Sequence, residues 1–277
     1  MKLALTHAVS MGLALSLAGV PAFAQFRDNN EKQMACDKGD HDGDRARHCE
    51  IREQTAPAIG RLNIDGLRNG GATIKGSSRG DVLVRARIDA SADTEGAAAS
   101  MASQVSIDTS GGQVVARGPD NNNNSWWSVS YEIFVPHNTD LNLKTHNGGI
   151  NISDVRGQIR FEGNNGGVNL KRVAGDVGGS TVNGGINLEL VGPLADFRQV
   201  ELSTRNGGVN VAMPSTFSAR FQAETNNGGI HSDFPLPLQP QSNTRPRKLD
   251  AVIGAGGPLI HVTTSNGQVN LKRSEAN

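Results

Sequence analysis

The sequence predicts an all-β fold, a single-stranded β-solenoid or β-helix-like stack of units about 18–23 residues long with one short N-terminal helix, and three observations predict it. First, one phrase recurs six times, centred on Asn147, Asn165, Asn183, Asn206, Asn227 and Asn266, each followed by Gly. Successive copies are 18, 18, 23, 21 and 39 residues apart, the last gap being about two units long. Periods near 20 residues mark stacked supersecondary units. Second, apolar residues alternate at period two on both sides of the phrase. Leu141/Leu143, Ile159/Phe161, Val200/Leu202 and Ile260/Val262 precede it, and Ile150/Ile152, Val168/Leu170, Ile186/Leu188, Val209/Val211 and Val269/Leu271 follow. Each unit therefore reads as strand, corner, strand. Third, 34 Gly and only 4% aromatic residues suit thin coils with an aliphatic interior.

The corner chemistry is expected to rest on Asn-Gly and Gly-Gly, which tolerate positive φ. A meander with type I′ hairpin turns would satisfy the same pattern. The near-constant period with like residues at each offset favours stacked coils, whose equivalent residues lie about 4.8 Å apart. Thr145, Thr181, Thr204, Thr225 and Thr264 would form one column and the outward Asn151, Asn169, Asn187, Asn210 and Asn270 another, linked as amide ladders. Such ladders stabilise coils whether or not anything binds them. Val105, Ile107 and Thr109 before Gly111-Gly112 read as a divergent earlier copy.

From the N-terminus, residues 1–24 read as a secretory signal, with Lys2, an apolar run from Leu13 to Val20 and Ala22-Phe23-Ala24 before Gln25. Residues 25–48 form a polar segment, 49–273 the β-strand unit domain, and 274–277 a tail. Export accounts for Cys36 and Cys49, expected to form a disulfide worth about 3 kcal/mol in the chain-entropy model. The intervening Asp37 to Asp44 stretch alternates Asp with Gly, but it lacks the order and distal Glu of an EF-hand, so it reads as a solvated loop rather than a calcium site. Ala92 to Ser103 is the one helical stretch, capped by Asp93 or Thr94. The Pro-rich stretch 234–247 reads as a loop thrown out of the stack.

Catalytic signatures are weak. Gly76-Ser77-Ser78-Arg79-Gly80 matches Gly-x-Ser-x-Gly, yet a strand follows it instead of the required helix, so a hairpin turn explains it. His41, His48, His137, His146, His231 and His261 show no metal-ligand spacing. Gly254 to Gly257 lacks the ending of a phosphate loop and reads as a turn. Acidic residues of the units fall at unrelated offsets, unlike the paired carboxylates of a polysaccharide-cleaving groove. No cofactor or metal is implied. Removing the signal leaves 26 basic and 27 acidic residues, a net charge of −1 that gives no electrostatic case for nucleic acid. No later apolar run reaches a membrane helix's length. Trp126 faces away from the apolar side taken by Trp127, Val129 and Tyr131, which makes it a candidate surface contact.

The Asn-Gly-Gly-Ile/Val-Asn phrases, with Thr two residues before the Asn, resemble the bacterial "putative-adhesin" family, exported proteins with a domain of unknown function and β-strand repeats. The resemblance covers residues 49 to 273, including Glu50-Ile51-Arg52-Glu53 and Val135-Pro136. It implies an exported β-solenoid-like protein with no established catalytic residues. The resulting expectation is a non-enzymatic, monomeric surface-binding protein of the periplasm or cell surface. Its Asn/Thr face and Trp126 would meet a cell-surface glycan or protein. A structural envelope component and a β-helix enzyme are the alternatives.

Overall fold

The computed structural model describes residues 34–36, 45–122, 124–190, 196–236 and 246–274. Residues 1–24, read as a signal, the Asp-rich stretch 37–44, most of the Pro-rich stretch and residues 275–277 lie outside them. The fold is all-β, 67% strand, a curled and open sheet. Its centre is a set of strand–corner–strand units: β8 (Asp140–Asn147) and β9 (Ile150–Ser153), β10 (Arg156–Asn165) and the long β11 (Val168–Asn183), then β12 (Ile186–Leu190) and β13 (Phe197–Asn206) with β14 (Val209–Pro214). The segments directly flanking a corner do not pair with each other: β11 spans two layers, and it pairs with β10 only through residues 174–183, beyond the segment that follows the Asn165 corner. Each pairs in parallel with its equivalents: Ile159 sits beside Leu141 and Val177 on one side, and Val168 beside Ile150 and Ile186 on the other. That excludes the meander, because a hairpin would pair the flanking strands antiparallel.

Glycine is needed at the corners for a reason other than the one the sequence suggested. None of Gly148, Gly166, Gly184, Gly207, Gly228 and Gly267 has positive φ. Instead each backbone lies directly on the next. A Cβ on Gly184 would meet the Gly166 carbonyl oxygen at 2.1 Å, and one on Gly207 would meet that of Gly184 at 2.2 Å. The following glycine has more room, 3.3 Å at Gly185 and 3.7 Å at Gly167, and Gln268 occupies the same place in another unit.

Inside the corner the Thr column is buried, so it is a structural column and not part of an exposed Thr-lined face. The Thr181 hydroxyl donates to Gly166 O at 3.1 Å, Thr204 to Gly184 O at 2.8 Å and Thr264 to Gly207 O at 2.8 Å. Each bond satisfies a carbonyl of the corner below. The aliphatic interior behind it is closed by complementary sizes. Gly179 stands where neighbouring strands carry Phe161 and Leu202, and the Phe161 ring fills the space, 2.5 Å from where a Cβ would stand.

Stacking order departs from chain order at the C-terminal end. After β13 the next layer is β18 (Leu259–Asn266), and only then comes β15 (Ala219–Asn227). On the other side β19 (Val269–Ser274) lies between β14 and β16 (Ile230–Ser232). The 39-residue gap between Asn227 and Asn266 is thus an excursion that brings the chain back to insert inside its own stack. It includes β17 (Lys248–Ile253), antiparallel to β15 and outermost on its side among the described residues. The segment Lys272–Ser274 continues β19 alongside Ala212–Pro214 of β14.

The opposite end also corrects the sequence reading. A seventh copy, Asn69-Gly70-Gly71, joins β2 (Arg61–Asp65) to β3 (Ala72–Ser77), which pair with β8 and β9. One extra residue before its Asn hid it. Leu62 and Ile64 pair with Leu141 and Leu143, and Leu67, at φ 53°, absorbs the insertion. Beyond it the parallel units give way to antiparallel strands: β1 (Ala46–Pro57), β4 (Asp81–Ala92) and β7 (Trp126–Pro136) on one side. On the other, β5 (Ser106–Asp108) and β6 (Gln113–Arg117) form a hairpin, so Val105 to Val114 is not a corner copy. The chain at Gly76–Gly80 passes from β3 to β4 across β7, which pairs with both, rather than turning a hairpin. Helix α1 (Glu95–Ser103) starts after the expected Ala92, which ends β4, and uses Thr94 of the two expected caps, its hydroxyl accepting from Ala97 N at 3.2 Å; the helix buries Ala98 and Ala102. Cys36 and Cys49 are disulfide-bonded, tying the preceding segment to β1.

One buried charge needs its partners. Glu132 on β7 is 5% exposed and lies 3.0 Å from Lys75 and 3.4 Å from Arg85, which also reaches Glu53 at 2.9 Å. Burial alone would lower the Arg85 pKa, but Glu53 and Glu132 outweigh it and raise it. Glu132→Ala leaves two half-covered cations without their shared carboxylate. It should cost about 2 kcal/mol in urea unfolding, against under about 1 kcal/mol for Glu53→Ala on the exposed side. Equal losses would show that the network is only a surface one.

Candidate binding surface

Two Asn columns run the length of the stack. At the corner, Asn147 donates to Asn69 at 2.9 Å, Asn165 to Asn147, Asn183 to Asn165, Asn206 to Asn183 and Asn266 to Asn206 at 2.7 Å, and Asn227 to Asn266 at 2.8 Å. Four residues on, Asn169 donates to Asn151, Asn187 to Asn169, Asn210 to Asn187 and Asn270 to Asn210 at 2.7–2.8 Å. The second column ends at Thr73 on one side and His231 on the other. All amides point the same way along the stack. A carboxamide has two N–H donors and two acceptor sites, and the ladder uses one of each, so every interior rung still presents one donor and one acceptor to solvent. The result is an uncharged, amphoteric hydrogen-bonding array repeating at about 4.8 Å.

Trp126 is half-buried, faces outward on β7, and has the Arg47 guanidinium 5.7 Å from its ring centroid. It therefore sits under β1 at the antiparallel end, away from the Asn columns. The carboxylates are less scattered than the sequence suggested, since Glu162 and Glu224 share one offset. Their strands are separated by β11, β13 and β18, however, or about 19 Å at the usual interstrand spacing. No group of three metal-ligating side chains gathers among the described residues.

Outer-face ion pairs accompany the columns. Arg160 lies over Gly178 and donates to Asp176 at 2.6 Å, which holds that carboxyl below its usual range. At the far edge Arg220 donates to Asp250 at 2.7 and 3.0 Å and Gln222 adds 3.0 Å, which depresses the Asp250 pKa to about 2. A depressed folded pKa stabilises above the unfolded value near 3.9 and loses that contribution as pH falls through about 2. Carboxyl-carbon NMR should therefore place the Asp250 midpoint near 2 and move it toward about 3.9 in Arg220→Gln. A wild-type midpoint near 4 would deny the pair.

A cavity of about 820 Å³ was not visible in the sequence. It opens between the segment after β6 and the first corners, and its walls include Asp65, Arg68, Asn69, Trp127, His146 and Asn164. The segment is pinned by paired bonds. Asn121 accepts from Trp127 N at 2.8 Å and donates to Trp127 O at 3.0 Å, while the indole N–H donates to Pro119 O at 2.6 Å. Behind it the Tyr131 hydroxyl is buried, and burial, followed by the Asp65 charge, pushes its pKa up against a smaller opposing contribution from the Ala116 backbone.

A family model described as Toastrack DUF4097 matches residues 73–272, which takes in every Asn corner except Asn69. The chain belongs to the Toastrack DUF4097 family. No curated protein matches this Toastrack chain. Among solved structures, a "putative cell adhesion protein" from Clostridium sporogenes ATCC 15579 is 12% identical, covering 82% of this chain and 100% of its own at a TM-score of 0.42. A "putative adhesin" from Bacteroides fragilis NCTC 9343 is 9% identical, covering 82% and 97% at 0.37. A "putative lipid binding protein" from Parabacteroides distasonis ATCC 8503 is 11% identical, covering 80% and 96% at 0.31. No functional residue transfers at these similarities.

Proposed function

We propose that the chain is an exported, non-enzymatic binding module whose parallel units form a β-solenoid-like stack, and that its Asn-lined corner and adjoining face bind a glycan of the cell envelope or cell surface. The Asn ladder carries this reading. Its amides alternate donor and acceptor without net charge, which complements a neutral polyhydroxylated chain better than a polyanion or an apolar surface. The Cys36–Cys49 disulfide supports export, since such bonds persist in oxidising compartments. The antiparallel strands at both ends cover parallel edges that would otherwise template assembly, which supports a monomer.

Co-sedimentation of the purified protein with insoluble polysaccharides tests the binding. We expect retention by at least one neutral polymer and its loss in the double variant Asn169→Ser/Asn187→Ser with the fold intact by circular dichroism. Unchanged retention would assign the ladder to structure alone. Protease added to intact and permeabilised cells tests location, because digestion on intact cells requires surface display and protection until permeabilisation requires the periplasm.

A further inference from the structure

We infer that the cavity between Pro119–Asn121 and the first corners binds the end of a neutral saccharide chain, an inference that rests on the glycan reading above and assigns it a terminal subsite. The polarity of the corner ladder leads to this place. Every amide donates toward Asn69, and Asn69 itself only accepts, so both of its N–H donors are free of the ladder where it lines the cavity. A chain lying along the corner column would run out into this cleft.

Size and rigidity agree. About 820 Å³ falls within the range of small-ligand sites, roughly 300–1,000 Å³. The wall is formed in advance, because both Asn121 amide atoms and the Trp127 indole N–H are already committed to backbone bonds. Gly118 lies so close to the indole that a Cβ there would meet it at 2.8 Å.

Ligand class follows from the charges. Asp65, Asp120 and Glu162 are matched by Arg68, Arg117 and Lys144, so the cleft favours neither a polyanion nor a polycation. Adjacent sugar hydroxyls, which donate and accept together, can bridge neighbouring carboxylate, guanidinium and amide groups.

Trp126→Phe leaves Trp127 as the chain's one indole and makes its fluorescence a local reporter. Titration with cellotetraose and with chitotetraose should give a saturable change with at least one. Arg68→Ala should weaken that binding about tenfold or more, as for loss of a charged hydrogen bond, while Asn187→Ser, far along the ladder, should leave it within about twofold. A saturable change indifferent to Arg68→Ala would overturn the assignment, as would no change with either sugar. If polymers still sediment in a ladder-dependent way while neither tetrasaccharide binds, the cleft fails and the ladder reading stands. If tetrasaccharides bind at the cleft but no polymer sediments, the reverse holds.

Discussion

Gly184→Ala is expected to destabilise the protein by about 3 kcal/mol or more, while Gly185→Ala, one residue on, should cost less than about 1 kcal/mol. Neither position has positive φ, so the difference cannot come from backbone conformation. It comes from stacking. A methyl on Gly184 would stand 2.1 Å from the Gly166 carbonyl oxygen, and that oxygen belongs to a backbone held by bonds of its own, including Gly166 N to Asn183 O and Thr181 Oγ1 to Gly166 O. No side chain can rotate away. The two units must separate locally, which opens the corner and strains the Asn and Thr columns together. At Gly185 the nearest atom is 3.3 Å off, which a small adjustment accommodates. Thermal unfolding reads the contrast as about 10 °C against at most a few degrees for a domain of this size. Similar shifts at both positions would mean that the corners flex, and the close stacking would then not be what selects glycine.

The strand–corner–strand pattern, the helix with its Thr94 cap and the disulfide were legible because each has a local signature: period-two alternation, a capping residue and a cysteine pair in a polar stretch. The reason for the corner glycines was not legible, since a residue chosen for φ and one chosen for close approach look alike in a sequence. Asn69 escaped because one inserted residue at Leu67 shifts its upstream apolar positions out of alignment, although the Asn-Gly-Gly phrase itself is intact. The cavity escaped for a different reason. Its walls combine corner residues, Asn69, His146 and Asn164, with Pro119 and Trp127 from outside the phrase, and they meet only because β6, β2, β8 and β10 lie side by side. The Thr column was found at the right offset and assigned to the wrong side, because a hydroxyl at an inward position reads as surface unless its carbonyl partner in the neighbouring unit is known.

Removing residues 254–277 should unfold most of the stack, not just its last unit. In a stack built in chain order, a C-terminal truncation would shed one end, and the rest would keep its neighbours. Here β18 separates β13 from β15, and β19 separates β14 from β16, so the deletion removes an interior layer from both sides at once. The lost interior side chains include Ile260, Val262, Val269 and Leu271, each at most 1% exposed. At about 1.5–3 kcal/mol apiece they amount to about 6–12 kcal/mol, comparable to the whole stability of a typical domain. Two rungs of ladder go as well, since Asn266 links Asn206 to Asn227 and Asn270 links to Asn210. Because a truncated chain that fails to express reveals little, the intact protein supplies the stricter measurement. Hydrogen exchange should find the amides of β18 and β19 as protected as those of β13, despite their place at the chain terminus, and slower than those of the outlying β16 and β17. Exchange that begins in β18 and β19 and spreads inward would contradict the inserted order, since a terminal layer frays first and an enclosed one opens only with the layers on either side of it.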